Sequence, residues 1–135
     1  MATDQHIFDV IERLTRCWDV RNLDATLNFY TKDVEYLEPG SGVNIKGRTD
    51  LRAYLVKYFA AWDSRWTIQH CFRLAGQDAA VAFWDMEVWR PGSDLKVMTR
   101  VMDLLKVRGD QIMYDEVYFD RTQLKPLFAA NPRQT

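Results

Sequence analysis

The period of the apolar residues changes once along this chain, near residue 64, from helical spacing to the two-residue alternation of strands; that switch restricts the architecture more than any other feature. Helices come first. Ile7, Val10, Ile11, Leu14 and Trp18 form one helical stripe, and Thr3 or Asp4 is placed to cap the free amides at its start. Asn22 is the expected cap of a second helix whose Leu23, Leu27 and Tyr30 face inward. After a turn at Thr31 to Asp33, the run Val34, Glu35, Tyr36, Leu37 reads as a strand that delivers Glu38 immediately before Pro39. Pro39, Gly40, Ser41 and Gly42 break the chain. A third helix follows Gly47, with Thr49 as the expected cap and a wide stripe of Leu51, Tyr54, Leu55, Tyr58, Phe59 and Trp62.

Beyond the switch, Trp66, Ile68, Phe72 and Leu74 alternate with polar residues, which places His70 on the buried side of a strand over 65–74 and Cys71 on the other face. Gly76 to Asp78 turn the chain into a strand whose Ala82, Trp84, Met86 and Val88 oppose Asp85 and Glu87. Pro91 to Ser93 make the next turn. A strand over 95–107 then meets the Arg108, Gly109, Asp110 hairpin, and a last strand covers 112–119. Asp120 and Gln123 have capping-box spacing for a short terminal helix, after which Asn131 to Thr135 should fray. Three helices followed by a meander predict an α+β fold, a cone in which the helices close one side of a curved antiparallel sheet and leave an internal cavity.

The composition suits one domain over 1–135. At 135 residues and 47% hydrophobic content the chain can bury roughly two thirds of its unfolded surface. Eighteen basic against nineteen acidic residues leave a net charge of −1, and without a basic stripe no nucleic-acid partner is expected. Cys17 and Cys71 are isolated thiols, and His6 and His70 have no ligand spacing, so neither a metal nor a cofactor is expected. The absence of a signal sequence or a long apolar stretch points to a cytoplasmic protein with reduced cysteines and no membrane partner. Five Trp and six Tyr exceed what so short a chain needs to fill its interior, and a lined pocket or an aromatic interface would use the surplus.

Three acids share inward positions with apolar residues: Glu38, Asp103 within Val101, Met102, Asp103, Leu104, Leu105, and Asp115, which has the parity of Val117 and Phe119. Several carboxyl groups in one low-dielectric cavity cannot all ionise comfortably, so one should remain a neutral acid near neutral pH while another acts as base. The bland alternative pairs Glu38 with Arg48, gives Asp103 backbone or tyrosine hydrogen bonds, and pairs Asp115 with Arg100 or Lys106. His70 is a candidate proton shuttle or a hydrogen-bonded core residue. Trp62, Trp66 and Trp84, with Tyr30, Tyr36, Tyr54, Val101, Val117 and Phe119, are candidates for a ligand-cavity lining or for the core. Trp89, Tyr114 and Tyr118 lie on the opposite sheet face, where aromatic area suits a homodimer interface.

The order of elements, the Val20 to Pro39 segment, the Gly47, Arg48 helix start and the ending Tyr118, Phe119, Asp120 together resemble the nuclear transport factor 2-like superfamily, and within it SnoaL-like proteins and ketosteroid isomerases, over nearly the whole chain. The resemblance implies a cone-shaped fold, homodimers paired through the outer sheet face, and a pocket for a small hydrophobic molecule. It also implies cofactor-free isomerase, cyclase or hydrolase chemistry, or binding without turnover. Residue by residue, it implies Glu38 as the proton-abstracting carboxylate, Asp103 as the protonated donor to an enolate oxygen, a pairing that illustrates opposite tuning of two acids, and Tyr30 as a network phenol. Leu14 and Leu55 stand where the isomerases carry further tyrosines. The ending is also similar to limonene epoxide hydrolases, but Val117 replaces one of their aspartates.

Overall fold

The computed structural model describes residues 1–129; the expected fraying of Asn131 to Thr135 lies outside them. In chain order the elements are α1 (Asp4–Val20), α2 (Leu23–Asn28), β1 (Tyr30–Glu38), a 3-10 turn (Pro39–Ser41), β2 (Val43–Lys46), α3 (Arg48–Ala61), β3 (Asp63–Arg73), β4 (Ala79–Trp89), β5 (Lys96–Arg108) and β6 (Gln111–Phe119). A second 3-10 turn (Arg121–Leu124) and α4 (Lys125–Ala129) close the described chain. This is an α+β fold in which the six strands form one curved open sheet, in the order β2-β1-β6-β5-β4-β3.

α1 forms as its pattern dictates. The Thr3 hydroxyl accepts the His6 amide at 3.1 Å, and Ile7, Val10, Ile11, Leu14 and Trp18 are all buried. Each such aliphatic side chain contributes about 1.5–3 kcal/mol by leaving water. Asn22 caps α2 by accepting the Ala25 amide at 3.0 Å. α2 ends earlier than its stripe suggested, so Tyr30 opens β1 and is fully buried there.

Four details differ from the sequence expectation. The sheet is not wholly antiparallel: β1 runs parallel to β6, with Tyr36 beside Asp115, while the other pairings are antiparallel. β2 was not anticipated; it pairs with β1 as a hairpin and reaches α3 through Gly47. Gly47 sits at φ 91°, a conformation costly for residues with a Cβ, and its amide donates to Val34 O at 2.7 Å. Gly47, not Thr49, is therefore the cap position of α3, and it offers no side-chain cap.

The fourth difference relocates His70. The β3 to β4 register shifts between Ile68 and His70, and an extra residue in one strand reverses which side chains face the core. Trp66 packs against the core before the bulge and Cys71 after it. His70 and Phe72 are turned out, Phe72 to 57% exposure. His70 stacks on Phe72 and meets Phe83 edge-on, so it is a residue of the outer sheet face and not of the cavity.

Candidate functional site

A chamber of about 580 Å³ opens between the helices and the concave face of the sheet. β1 and its 3-10 turn contribute Tyr36, Glu38 and Ser41, α3 contributes Tyr54 and Tyr58, and the sheet adds Met86, Val88, Val117 and Phe119. Trp62 and Trp66 stand at the junction of α3 and β3, and Phe128 of α4 packs edge-on against Trp62. The volume lies in the range of small-molecule sites, and the lining is mostly apolar with few polar groups, as such sites require.

Glu38 is the buried carboxylate of this chamber. It ends β1 on the inward parity of Val34 and Tyr36, and the Pro39 turn brings Ser41 back over it. The Ser41 hydroxyl donates to Oε1 at 2.8 Å and the Tyr54 hydroxyl to Oε2 at 2.8 Å. The expected alternative partner, Arg48, instead donates to the Tyr30 carbonyl at 3.2 Å. Two hydroxyls and no cation thus fix the orientation of Glu38, leaving lone pairs for a ligand.

Asp103 and Asp115 occupy a different space. They line a recess of about 30 Å³ with Leu14, Thr15 and Trp84, and Trp18, Tyr36, Trp66 and Val117 are walls common to recess and chamber. The recess has room for roughly one water molecule or one carbonyl oxygen. The two acids are diagonal neighbours on β5 and β6, since Asp103 faces Val117 and Leu105 faces Asp115 across the ladder. Neither pairs with Arg100 or Lys106. Arg100 lies 3.6 Å from Asp85, and Lys106 sits over the Tyr114 ring.

Both carboxyls are held above the ordinary range. Burial raises Asp103 most, followed by the charge of Asp115, a hydrogen bond to it, and the more distant Glu38. Burial also raises Asp115, opposed by hydrogen bonds from Asp103 and from Tyr30. The Tyr30 hydroxyl donates to Asp115 Oδ2 at 3.0 Å and accepts the Trp18 indole N–H at 3.2 Å. Burial and the Asp115 charge push the Tyr30 phenol well up, which keeps it a donor. Burial and the mutual hydrogen bond favour one proton shared by the two carboxyls and carried on Asp103, so that like charges avoid meeting in a dry pocket. Oδ1 of each acid is buried and receives no hydrogen bond from an N–H or hydroxyl donor among the described residues, so the shared proton or a bound group must satisfy the pair. A buried polar atom left open is costly unless something binds it.

A protein-family model described as a SnoaL-like domain matches residues 11–114. The chain belongs to the SnoaL-like family. The solved structures most like this SnoaL-like chain include a Bacillus subtilis protein provisionally assigned as an isomerase, with 13% identity, TM-score 0.85 and 96% of each chain covered. A SnoaL-like protein of Shewanella putrefaciens, provisionally assigned as a polyketide cyclase, has 12% identity and TM-score 0.79 over 95% of this chain and 88% of that one. An epoxide hydrolase of M. tuberculosis, of limonene epoxide hydrolase type, has 16% identity and TM-score 0.77 over 93% and 91%. These likenesses establish the nuclear transport factor 2-like fold and not an activity. No curated protein matches the chain in sequence.

Several residues expected to line the site of this SnoaL-like chain stand elsewhere. Val101 lies in the core and lines neither cavity, Trp84 faces only the recess, and Tyr30 acts through Asp115 and is not part of either wall. Leu14 lines the recess and Leu55 is fully buried, so neither position brings a phenol to it. Sequence reasoning missed Trp18, Ser41, Tyr58 and Phe128 as cavity residues. Ser41, three residues after Glu38 across a Pro-Gly turn, carried a readable signal. Trp18 could only be read as helix core, and it does pack edge-on against Tyr58, Phe59 and Trp66. Among the described residues, no group of three or more His, Cys, Asp or Glu could hold a metal ion, and no helix is long and apolar enough to cross a membrane.

Proposed function

We propose that this SnoaL-like protein catalyses cofactor-independent proton transfer on a small hydrophobic carbonyl compound, as an isomerase or cyclase. One observation carries the reading: a cation-free carboxylate, Glu38, faces a ligand-sized apolar chamber whose inner wall adjoins a recess lined by two buried acids. Glu38 takes the proton from the carbon next to the carbonyl. The electrons of that C–H bond form the enolate double bond, and the carbonyl oxygen gathers the charge at the mouth of the recess. Asp103, neutral and backed by Asp115, Tyr30 and Trp18, turns its single O–H from Asp115 to that oxygen, directly or through one water, as the charge develops. Return of the proton to another carbon gives isomerisation; attack of the enolate on a second carbonyl gives ring closure. Ser41 and Tyr54 keep the Glu38 carboxyl oriented through both steps.

The experiment is solvent exchange. Incubated in deuterated buffer with β-tetralone, a small aromatic ketone, the protein should accelerate loss of the α-proton NMR signal well above buffer alone. A rate equal to the buffer rate, with the ketone bound in the chamber, would overturn the reading. The partition between chamber and recess favours a second reading, a ligand-binding module without turnover, because the shared wall of Trp18, Tyr36, Trp66 and Val117 stands between Asp103 and a chamber-bound molecule. That reading predicts binding of β-tetralone without exchange.

The domain is further proposed to act as a homodimer through the outer sheet face. His70, Phe83, Met102 and Tyr118 follow one another across β3, β4, β5 and β6 on the side facing away from the chamber, with Phe72 adjacent. Phe72 and Tyr118 are 57% and 41% exposed, whereas Trp89 and Tyr114, also expected there, are half-buried under Lys96 and Lys106. Aromatic and Met-rich area of this kind marks interaction surfaces. Sedimentation equilibrium should give twice the chain mass for the wild type and the single mass for a Phe72→Glu, Met102→Lys variant; a monomeric wild type would contradict the assignment.

A further inference from the structure

The cationic side chains at the chamber mouth say more about the ligand than the apolar lining does. Lys57 comes from α3, Arg121 from the second 3-10 turn and Lys125 from the start of α4, and all three are exposed residues that line the chamber. Three separate elements therefore direct positive charge to one opening. Glu38 is the acidic residue of the lining, and it is buried with both oxygens held by hydroxyls.

Paired and free cations occur throughout the described residues, no lysine among them forming an ion pair, so it is the convergence of three free cations on one opening that is informative. Arg16, Arg21, Arg52, Arg73, Arg100 and Arg108 each stand within ion-pair distance of a carboxylate. Lys57, Arg121 and Lys125 form no ion pair among the described residues. Arg121 donates to the Gly40 carbonyl, which pins its guanidinium beside the loop that carries Ser41. The acids nearest in sequence are engaged: Asp120 accepts from the Thr122 amide and hydroxyl and from Gln123, and Asp63 faces Arg21 at 3.5 Å.

A fourth cation backs the same end. The Arg90 guanidinium lies 4.0 Å from the Trp62 ring centroid and 5.1 Å from that of Phe128, two residues of the chamber wall. Its Nε is buried without a hydrogen-bond partner. Cation–π contact holds the two rings in place, and it sets a half-buried guanidinium against the aromatic surface.

We infer that the molecule bound in the chamber is an amphipathic anion, an apolar aromatic or polycyclic body with a carboxylate, sulfonate or phosphate at the end nearest the mouth. The body lies against Tyr58, Trp62, Trp66 and Phe119, and its anionic end meets Lys57, Arg121 and Lys125. This rests on the proposed reading of the chamber as the ligand site and adds the ligand's charge and orientation. The reacting carbonyl then lies inward of the charged end, by the buried Glu38. A mouth of this kind also concentrates anions and speeds their capture, an effect that salt weakens.

Two dyes with one aromatic frame test this: anilinonaphthalene sulfonate and uncharged anilinonaphthalene, titrated against the full chain by fluorescence. At low salt the sulfonate should bind about tenfold tighter than the neutral dye, the ratio expected when a charged end gains about 1.4 kcal/mol. In half-molar salt, and in the Lys57→Gln, Arg121→Gln, Lys125→Gln variant at low salt, that ratio should fall to about one while the neutral dye keeps its affinity. Each dye should displace the other. If the neutral dye binds and the sulfonate gains nothing, the anion inference fails and the chamber reading stands. If the sulfonate's advantage survives in the triple variant, the charge is met elsewhere, and the inference also fails. If neither dye binds, both readings fail.

Discussion

Glu38→Gln is expected to slow deuterium exchange of a chamber-bound ketone by about 10²–10⁴-fold, the usual contribution of a positioned general base. Glutamine nearly matches glutamate in shape, and its carbonyl oxygen can still accept from Ser41 or Tyr54, which donate to the two carboxyl oxygens at 2.8 Å. What it lacks is a basic lone pair for the substrate proton. Affinity for the neutral dye should therefore remain within about twofold of wild type, because the apolar walls that bind it are untouched. A variant that loses exchange and binding together has lost the pocket and says nothing about the base. A variant that binds and exchanges at the wild-type rate removes Glu38 from the mechanism. Tyr54→Phe provides a graded comparison: it removes one donor to Glu38 and should lower the rate without abolishing it.

The second large effect is on stability and depends on pH. Burial and the neighbouring Asp115 hold Asp103 well above the ordinary aspartate value of 3.8. A carboxyl raised in this way binds a proton on folding. Its contribution is fully favourable below the unfolded pKa near 3.8 and is lost as pH rises towards the folded value. Over that window the loss is up to about 1.4 kcal/mol per pH unit. Asp103→Asn keeps a donor to Asp115 and has no proton to acquire. It should therefore be more stable than wild type at pH 8 by several degrees of melting temperature, with a much smaller difference at pH 4; about 1 kcal/mol corresponds to roughly 4 °C in a chain of this size. Thermal unfolding at the two pH values reads this directly. An equal shift at both would mean that packing, not titration, distinguishes the side chains. Exchange activity should fall in the same variant, so the acid that weakens the fold is retained for chemistry.

The sequence carried the helices and the parity of the acids because both depend on local periodicity. The stripe of Ile7, Val10, Ile11, Leu14 and Trp18 and the inward positions of Asp103 and Asp115 follow from spacing alone. β2 was illegible because Val43 to Lys46 is only four residues long, and its half-buried Val43 and Ile45 make too short an alternation to register. The bulge after Ile68 was illegible for another reason: no glycine or proline marks it, so strict alternation carried His70 to the wrong face. Long-range pairing hid the parallel contact of β1 with β6, which brings Tyr36 beside Asp115.

The candidate site divides along the same line. That Glu38, Asp103 and Asp115 are interior acids was readable, and so was the aromatic surplus. The division into a chamber and a recess was not, because it depends on where α1 sets Trp18 against Trp66 and Tyr36, a tertiary relation without sequence spacing. The mouth was equally hidden. Lys57, Arg121 and Lys125 are far apart in the chain, and each alone reads as an ordinary solvated charge. Their convergence appears only once α3 and the terminal turns are brought to one opening.

Everything proposed for the chemistry rests on a proton that stays in the recess at neutral pH. The direct measurement is a carboxyl-carbon NMR titration of protein labelled at aspartate, with Asp103→Asn and Asp115→Asn used to assign the two signals. The pair should release its protons in two separate steps, both above the ordinary aspartate value, with the Asp103 signal reporting the protonated form at pH 7. If both carboxyls instead titrate independently near 4, like exposed aspartates, the recess holds no neutral acid, and the proton-transfer account is wrong.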